Sequence, residues 1–303
     1  MHLGRGIGPR AADPCPRCCV LAYLGIAIVV AAVAGGFAFG GGSLAALWQP
    51  AEYIVILGTA FGAQLIAQPP AVLLETARQL LFIARRMPGR GDYLELLVML
   101  ASLFNFARKE GLVSLEPHIE SPAASPILSA YPGLLQDPRA LGFLTDTLEL
   151  ITSGSAISVH DFEALLDLDI EARHEHDLMP ARVLSTMADA FPGIGIVAAV
   201  LGIIITMNHM DGPPAEIGRN VAAALVGTLL GVLISYGFFQ GLATNLENKA
   251  AASRTFLVAQ KQVLVAIQRG TSPSIAVELA RRSLPDDVRP TSRELYEACR
   301  ARK

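Results

Sequence analysis

Four long windows of this chain contain no Asp, Glu, Lys or Arg. They run between Arg17 and Glu52, Glu52 and Glu75, Asp189 and Asp211, and Arg219 and Glu247. A helix needs about 20 apolar residues to cross the hydrocarbon of a bilayer. The windows therefore predict four membrane spans, near Val20–Phe39, Tyr53–Ala71, Phe191–His209 and Val221–Ala243, with Gln64 and Gln68 diluting the second. Composition agrees: 52% of the 303 residues are hydrophobic, 17% are charged and mean hydropathy is +0.45, which is too apolar for an ordinary soluble protein. A net charge of −3 argues against nucleic acid as a partner.

Lys and Arg collect on the cytoplasmic side of short loops. Arg5, Arg10 and Arg17 precede the first span, nine basic residues lie between spans two and three, and eleven follow span four. Only Arg219 falls in an outer loop, so both termini and the middle segment are expected in the cytoplasm. No clean small-residue cleavage site follows the first span, and its removal would leave an odd number of spans, so it is not read as a signal peptide. The expected organisation is an unstructured cytoplasmic extension over 1–18, spans one and two over 19–71 and a helical cytoplasmic domain over 72–190. Spans three and four then occupy 191–243, and cytoplasmic helices 244–303. The fold class is an all-α membrane protein.

Local patterns fill in the middle. Leu73–Met87 reads as an amphipathic helix whose Arg78, Arg85 and Arg86 reach the headgroups. Leucines and aromatics at helical spacing from Asp92 predict a helix ending at Gly111, and Ala140–Ile151 is helical again. A helix opening at Ser158 is expected to break at Met179–Pro180, with Arg182–Ala190 leading into span three. Glu247–Gln268 and the stretch SIAVELARRSL read as further helices.

Enzyme chemistry finds little support. There is no H-E-x-x-H, no G-x-S-x-G and no Walker loop, and His174 and His176 face apart on a helix. Cys15 and Cys18 make one C-x-x-C without a second pair, which is a weak zinc signal. Neither metal nor cofactor is expected. A transporter usually buries an ionisable group at mid-membrane. The spans carry none there, since Glu52 and Asp189 sit at span ends and His209 at an outer end. The polar atoms of the last two spans are chiefly those of Thr206, Thr228, Ser235 and Tyr236, so the titrating carboxylate is expected from another polypeptide.

What the last spans do offer is smallness. Ala223, Gly227, Gly231 and Ser235 recur every fourth position in span four, and span three has Ala198, Gly202 and Thr206 with Gly195 and Ala199 alongside. Such faces let helix backbones approach closely, either within one chain or around a foreign helix. Pro192 suits a helix start or a hinge at the cytoplasmic mouth. Arg108 and Glu116, eight apart across a helix end, read by themselves as solvated surface charges.

The stretches GGSLAALWQPAEYIVILG, SLEPHIESP, SAYPGLL and SGSAISVHDFEALLDLDIE resemble the flagellar motor stator A subunit family, MotA. So do FPGIGIVAAVLGIIITM, PPAEIG, LVGTLLGVLISYGF and SPSIAVELARRSL. They occur in that family's order from Val20 to about Glu297. The resemblance implies a proton-type stator subunit of the bacterial inner membrane, five copies of which surround two B subunits whose membrane aspartate carries the proton. It implies an ion pathway and gate at Pro192, Ala199, Thr228 and Tyr236, with Ala223, Gly227, Gly231 and Gly202 packing the helices. It also implies that Arg108 and Glu116 engage the rotor's switch protein, FliG-like, in place of the surface-charge reading. Gly241 stands where the family often has a proline after the YGF motif, so that role is not carried over. An ExbB/TolQ-like energiser of outer-membrane processes and a non-motor membrane scaffold are the alternatives, and the choice of proton over sodium is left to the LVGTLLG context.

Overall fold

The computed structural model describes residues 16–81, 83, 86–154, 157–208 and 213–301, with side chains in the first helix from Ala22 onward. The expected extension up to Cys15, the side chains of Cys18 and Cys19, and His209 lie outside the described residues. In chain order the helices are α1 (Pro16–Phe39), α2 (Pro50–Ala67), α3 (Pro70–Leu81), α4 (Arg90–Glu110), α5 (Glu116–Glu120) and α6 (Pro132–Leu135). They continue with α7 (Pro138–Thr152), α8 (Val159–Met207), α9 (Pro214–Ile234), α10 (Gln240–Gln268), α11 (Pro273–Arg282) and α12 (Ser292–Ala301). A π-helical stretch, Ser235–Phe239, joins α9 to α10, and no strand occurs among the described residues.

Several boundaries follow from local chemistry. Pro50, Pro132, Pro138, Pro214 and Pro273 open α2, α6, α7, α9 and α11, where a missing N–H costs nothing. Asp137 caps α7 by accepting from Arg139 N at 3.1 Å and Ala140 N at 3.3 Å. Asp92 Oδ2 accepts from Gly89 N at 2.6 Å and closes the start of α4. Gly111 ends α4 with φ at 95°, a conformation that side chains with a Cβ rarely adopt.

Two prolines depart from the sequence expectation. Pro180 does not break the chain and Pro192 does not open span three; both lie inside the unbroken α8. The amphipathic helix expected to Met87 stops at Leu81, and α12 was not anticipated.

Two compact units emerge. One comprises Cys15–Arg86 with Asp177–Lys249 and carries all or part of each of the four helices long and apolar enough to cross a membrane. Its core joins Ile56 and Ala60 of α2, Val183, Met187, Phe191 and Ala198 of α8, and Val226 and Leu230 of α9. It reaches past the spans because Ile83, Ala181, Leu184, Ala243 and Leu246 cluster and Lys249 Nζ donates to the Ile83 carbonyl at 2.5 Å. The other unit, Met87–His176 with Ala250–Lys303, is a helical domain around the buried face of α4. The C-terminal helices, expected apart, belong to this core through Leu257, Val263, Val277 and Leu295. Here Tyr93 donates to the Ala252 carbonyl at 3.3 Å. Burial, then the charges of Asp287 and Asp92, push its phenol up to about 12, so it stays a neutral donor. Lys261, nearly buried, reaches Asp167 at 2.7 Å and Glu163 at 3.5 Å.

Candidate functional site

The seam between α8 and α9 is made of main chain. A methyl built on Gly195 would lie 2.9 Å from the Gly227 carbonyl oxygen and 3.0 Å from Gly231 Cα. A methyl on Gly231 would lie 2.6 Å from the Phe191 carbonyl oxygen. Real side-chain carbons do not approach so closely, so glycine is required for this contact, and the gain is dispersion between backbones in a setting where lipid supplies no hydrophobic drive. Gly202 meets Ala224, and Gly227 meets the Ala199 backbone. The stripe therefore runs Ala224, Gly227, Gly231, Ser235, with Ala223 only half-buried beside it. A step of four drifts around a helix of 3.6 residues per turn, and replacing Ala223 by Ala224 corrects the drift.

Pro192, half-buried, is tied to this seam. Lacking an N–H, it leaves the carbonyl of residue i−4, Ala188, without its helical donor. The Ser235 hydroxyl donates to that carbonyl at 2.7 Å and is itself fully buried. Phe191 meets Phe239 edge-on at 4.7 Å between centroids. The proline site in α8 and the π-helical stretch thus form one joint, and π-turns recur at functional sites. Of the span hydroxyls, Thr206 donates to its own helix at Gly202 (2.9 Å). Thr228, half-buried next to Gly227, and Tyr236, 68% exposed, make no hydrogen bond among the described residues. Within spans three and four, those two are the hydroxyls left unbonded among the described residues. Ala199 is buried at the seam itself.

Sequence reasoning missed Glu52. Left at a span end, it proves to be turned inward from the first turn of α2 and is 8% exposed. Its Oε2 has no hydrogen-bond partner, and a methyl on Gly227 would lie 2.6 Å from it. The available signal was that Glu52 alone separates two charge-free windows.

Arg108 and Glu116 belong to the helical domain. Arg108 ends α4 and Glu116 starts α5, and both are exposed with no ion pair among the described residues. The connection between them is fixed. Ser114 Oγ donates to the Gly111 carbonyl at 2.6 Å, Leu115 is fully buried, and His118 Nδ1 pairs with Ser125 Oγ at 2.6 Å. Two charges are thereby held outward on a rigid turn, with Val113 exposed between them. Among the described residues no group of His, Cys, Asp and Glu forms a metal site.

Residues 23–111 match the Motility protein A N-terminal family and residues 143–255 the MotA/TolQ/ExbB proton channel family. Motility protein A of Escherichia coli is 38% identical over 94% of this chain and 96% of its own length. The chemotaxis protein LafT of Vibrio parahaemolyticus is 37% identical over 90% and 96%. Two solved structures share the fold. The MotAB structure from C. jejuni has a TM-score of 0.74 at 17% identity, covering 90% of this chain and 99% of that one. The flagellar MotAB stator complex from Bacillus subtilis has a TM-score of 0.72 at 23% identity, covering 89% and 98%. Fold and seam together define a four-span, all-helical subunit of the proton-channel class, a multi-pass inner-membrane protein. The chain belongs to the motility protein A family.

Proposed function

We propose that this chain is a subunit of the flagellar motor stator, a proton channel that couples ion flow to torque on the rotor. The observation that carries the reading is relationship to motility proteins along nearly the whole chain, including the N-terminal region specific to them rather than to the ExbB/TolQ type. In this reading both termini are cytoplasmic, supported by the basic residues before span one and after span four. Several copies, five by family resemblance, enclose two one-span B subunits whose membrane aspartate carries the proton. No cofactor takes part.

Protonation of that aspartate changes how the B helix rests on the α8–α9 face near Pro192, Ala199 and Thr228, with Tyr236 beside it. The ring then steps, and Arg108 and Glu116 act on a switch protein of the rotor. One charge crossing 100 mV supplies about 2.3 kcal/mol, which biases a two-state step about fifty-fold. A glycine seam suits this work, because two helices in main-chain contact move as one plank and present a shallow outer face.

Swimming of strains carrying Thr228→Val or Pro192→Ala tests the reading. Motility is expected to fall sharply at normal expression, and unchanged swimming rejects the motor assignment. Swimming speed with and without sodium tests the proton.

A further inference from the structure

We propose that the clasp between His118 and Ser125 is a proton-sensitive latch, which loosens the connection carrying Glu116 when the cytoplasm turns acidic. The inference rests on the stator reading for what Glu116 contacts, but the latch is argued from its own geometry. His118 is 8% exposed and lies two residues after Glu116 in α5, and Ser125, 3% exposed, lies in the stretch that follows. His118 Nδ1 and Ser125 Oγ are 2.6 Å apart. The same Oγ accepts from Leu128 N at 3.1 Å and so ties down the short 3-10 turn Leu128–Ala130. Phe106 of α4 meets the imidazole edge-on at 4.9 Å.

Only one charge state of the ring suits this arrangement. Ser125 Oγ already takes one N–H, and its hydroxyl has one hydrogen to give. Among the described residues it has no partner besides Leu128 N and His118 Nδ1. When the ring is neutral with its hydrogen on Nε2, the hydroxyl donates to Nδ1 and both atoms are satisfied. When the ring is charged, both nitrogens carry hydrogen and Nδ1 must donate. The Ser125 hydrogen is then left in a buried place without an acceptor, and a positive charge is enclosed beside it. Each is unfavourable without a partner.

No neighbour offsets that charge. α5 packs on α7 and on the turn Val113–Leu115. The charged side chains nearby are Glu116 and Glu120 on α5, Arg139, Asp146 and Glu149 on α7, and Arg108, Lys109 and Glu110 at the end of α4. All are exposed, and none forms an ion pair with the ring among the described residues. Asp137 is taken up by the cap of α7, and residues 121–136 contain no charged side chain. Histidine changes charge between about pH 5 and 8. The ring takes its proton from a hydronium ion, which leaves as water, and returns it to water as the pH rises. Two residues from a rotor-facing carboxylate, such a latch slackens the contact when delivered protons accumulate.

The test has two arms. In the first, amide hydrogen exchange of the purified full chain in lipid is followed at about pH 8 and about pH 5.5, on either side of histidine's usual transition, with rates corrected for the intrinsic effect of pH. The peptide holding the Leu128 amide is expected to exchange tenfold or more faster at the lower pH in the unsubstituted chain. In His118→Gln, whose amide oxygen can accept from Ser125 but which gains no charge, the corrected rate is expected to be the same at both. Equal rates in the unsubstituted chain, or an acceleration that survives in His118→Gln, overturn the proposal. Should His118→Gln not fold, Ser125→Ala takes its place. It removes the acceptor of Leu128 N and is expected to exchange fast at both pH values, and a persisting acceleration on acidification overturns the proposal. In the second arm, torque is measured on cells carrying this chain while a permeant weak acid lowers their internal pH. Torque is expected to fall at least twofold further in the unsubstituted strain than in His118→Gln, and an equal fall overturns the proposal. If the unsubstituted chain supports no rotation at neutral internal pH, the stator reading falls, while the exchange arm still decides the latch.

Discussion

The Glu278 carboxylate shows how single residues set the behaviour of the helical domain. Arg281 binds it through two nitrogens, at 2.7 and 2.8 Å, and Arg282 through one at 2.8 Å. The hydrogen bonds from Arg281, opposed by burial and reinforced by Arg282, hold its carboxyl well below the usual range, at about 2. A carboxyl lowered on folding stabilises fully above its ordinary value of 4.5, and that stabilisation is lost as pH falls towards about 2. Glu278→Gln is therefore expected to cost about 1 kcal/mol at neutral pH, the group being partly exposed, and nothing near pH 2. Thermal unfolding in detergent at the two pH values checks this. Arg108 makes the opposite case. Exposed and without an internal ion pair, it contributes little to folding, so Arg108→Glu is expected to shift stability by less than about 0.5 kcal/mol. Swimming torque is nevertheless expected to be lost, and rotation assays beside melting curves would separate the two effects.

At the scale of elements, the joint at Pro192 makes a prediction that local rules do not. Ser235→Ala strips the last donor from a buried carbonyl and is expected to cost about 1–2 kcal/mol. Pro192→Ala returns an N–H to that carbonyl, so Ser235→Ala should cost far less in that background. A double-mutant cycle by unfolding in detergent reads this coupling directly, and additive costs would refute the joint. The same joint explains where the sequence was hard to read. The end of α4 at Gly111 and the start of α7 at Asp137–Pro138 were legible because their causes are local. Pro180 and Pro192 misled because the rule that proline breaks a helix considers only the helix it sits in, whereas the Ala188 carbonyl left by Pro192 is served by Ser235, 47 positions further along the sequence. α12 was overlooked because its apolar face is short, Leu295, Ala298 and Cys299 meeting the core in a helix of ten residues that is otherwise largely polar.

At the scale of the whole molecule, the four spans were visible as gaps in the charge pattern, and the helical domain as periodicity between them. The function was legible through motifs in sequence order, whereas the rotor contact proposed for Arg108 and Glu116 follows from the family resemblance, the two residues by themselves reading as solvated surface charges. Glu52 escaped because position in a sequence does not show which way a side chain turns. One acid near the end of one helix does not make a path across the bilayer. The purified chain reconstituted alone is therefore expected to pass no protons, and to pass them when reconstituted with a one-span partner bearing a membrane aspartate. Flux from the single polypeptide would contradict the account at this scale.

The glycine contact between α8 and α9 also bears on descent. At Gly195 and Gly231 each helix leaves no room for a methyl on the other, and the obstacle is main chain, which no rotamer can clear. A lineage can repaint the outward faces of both helices residue by residue, yet neither glycine can drift alone. Chimeras that exchange α8 between distant relatives should work only when the matching half of α9 travels with it.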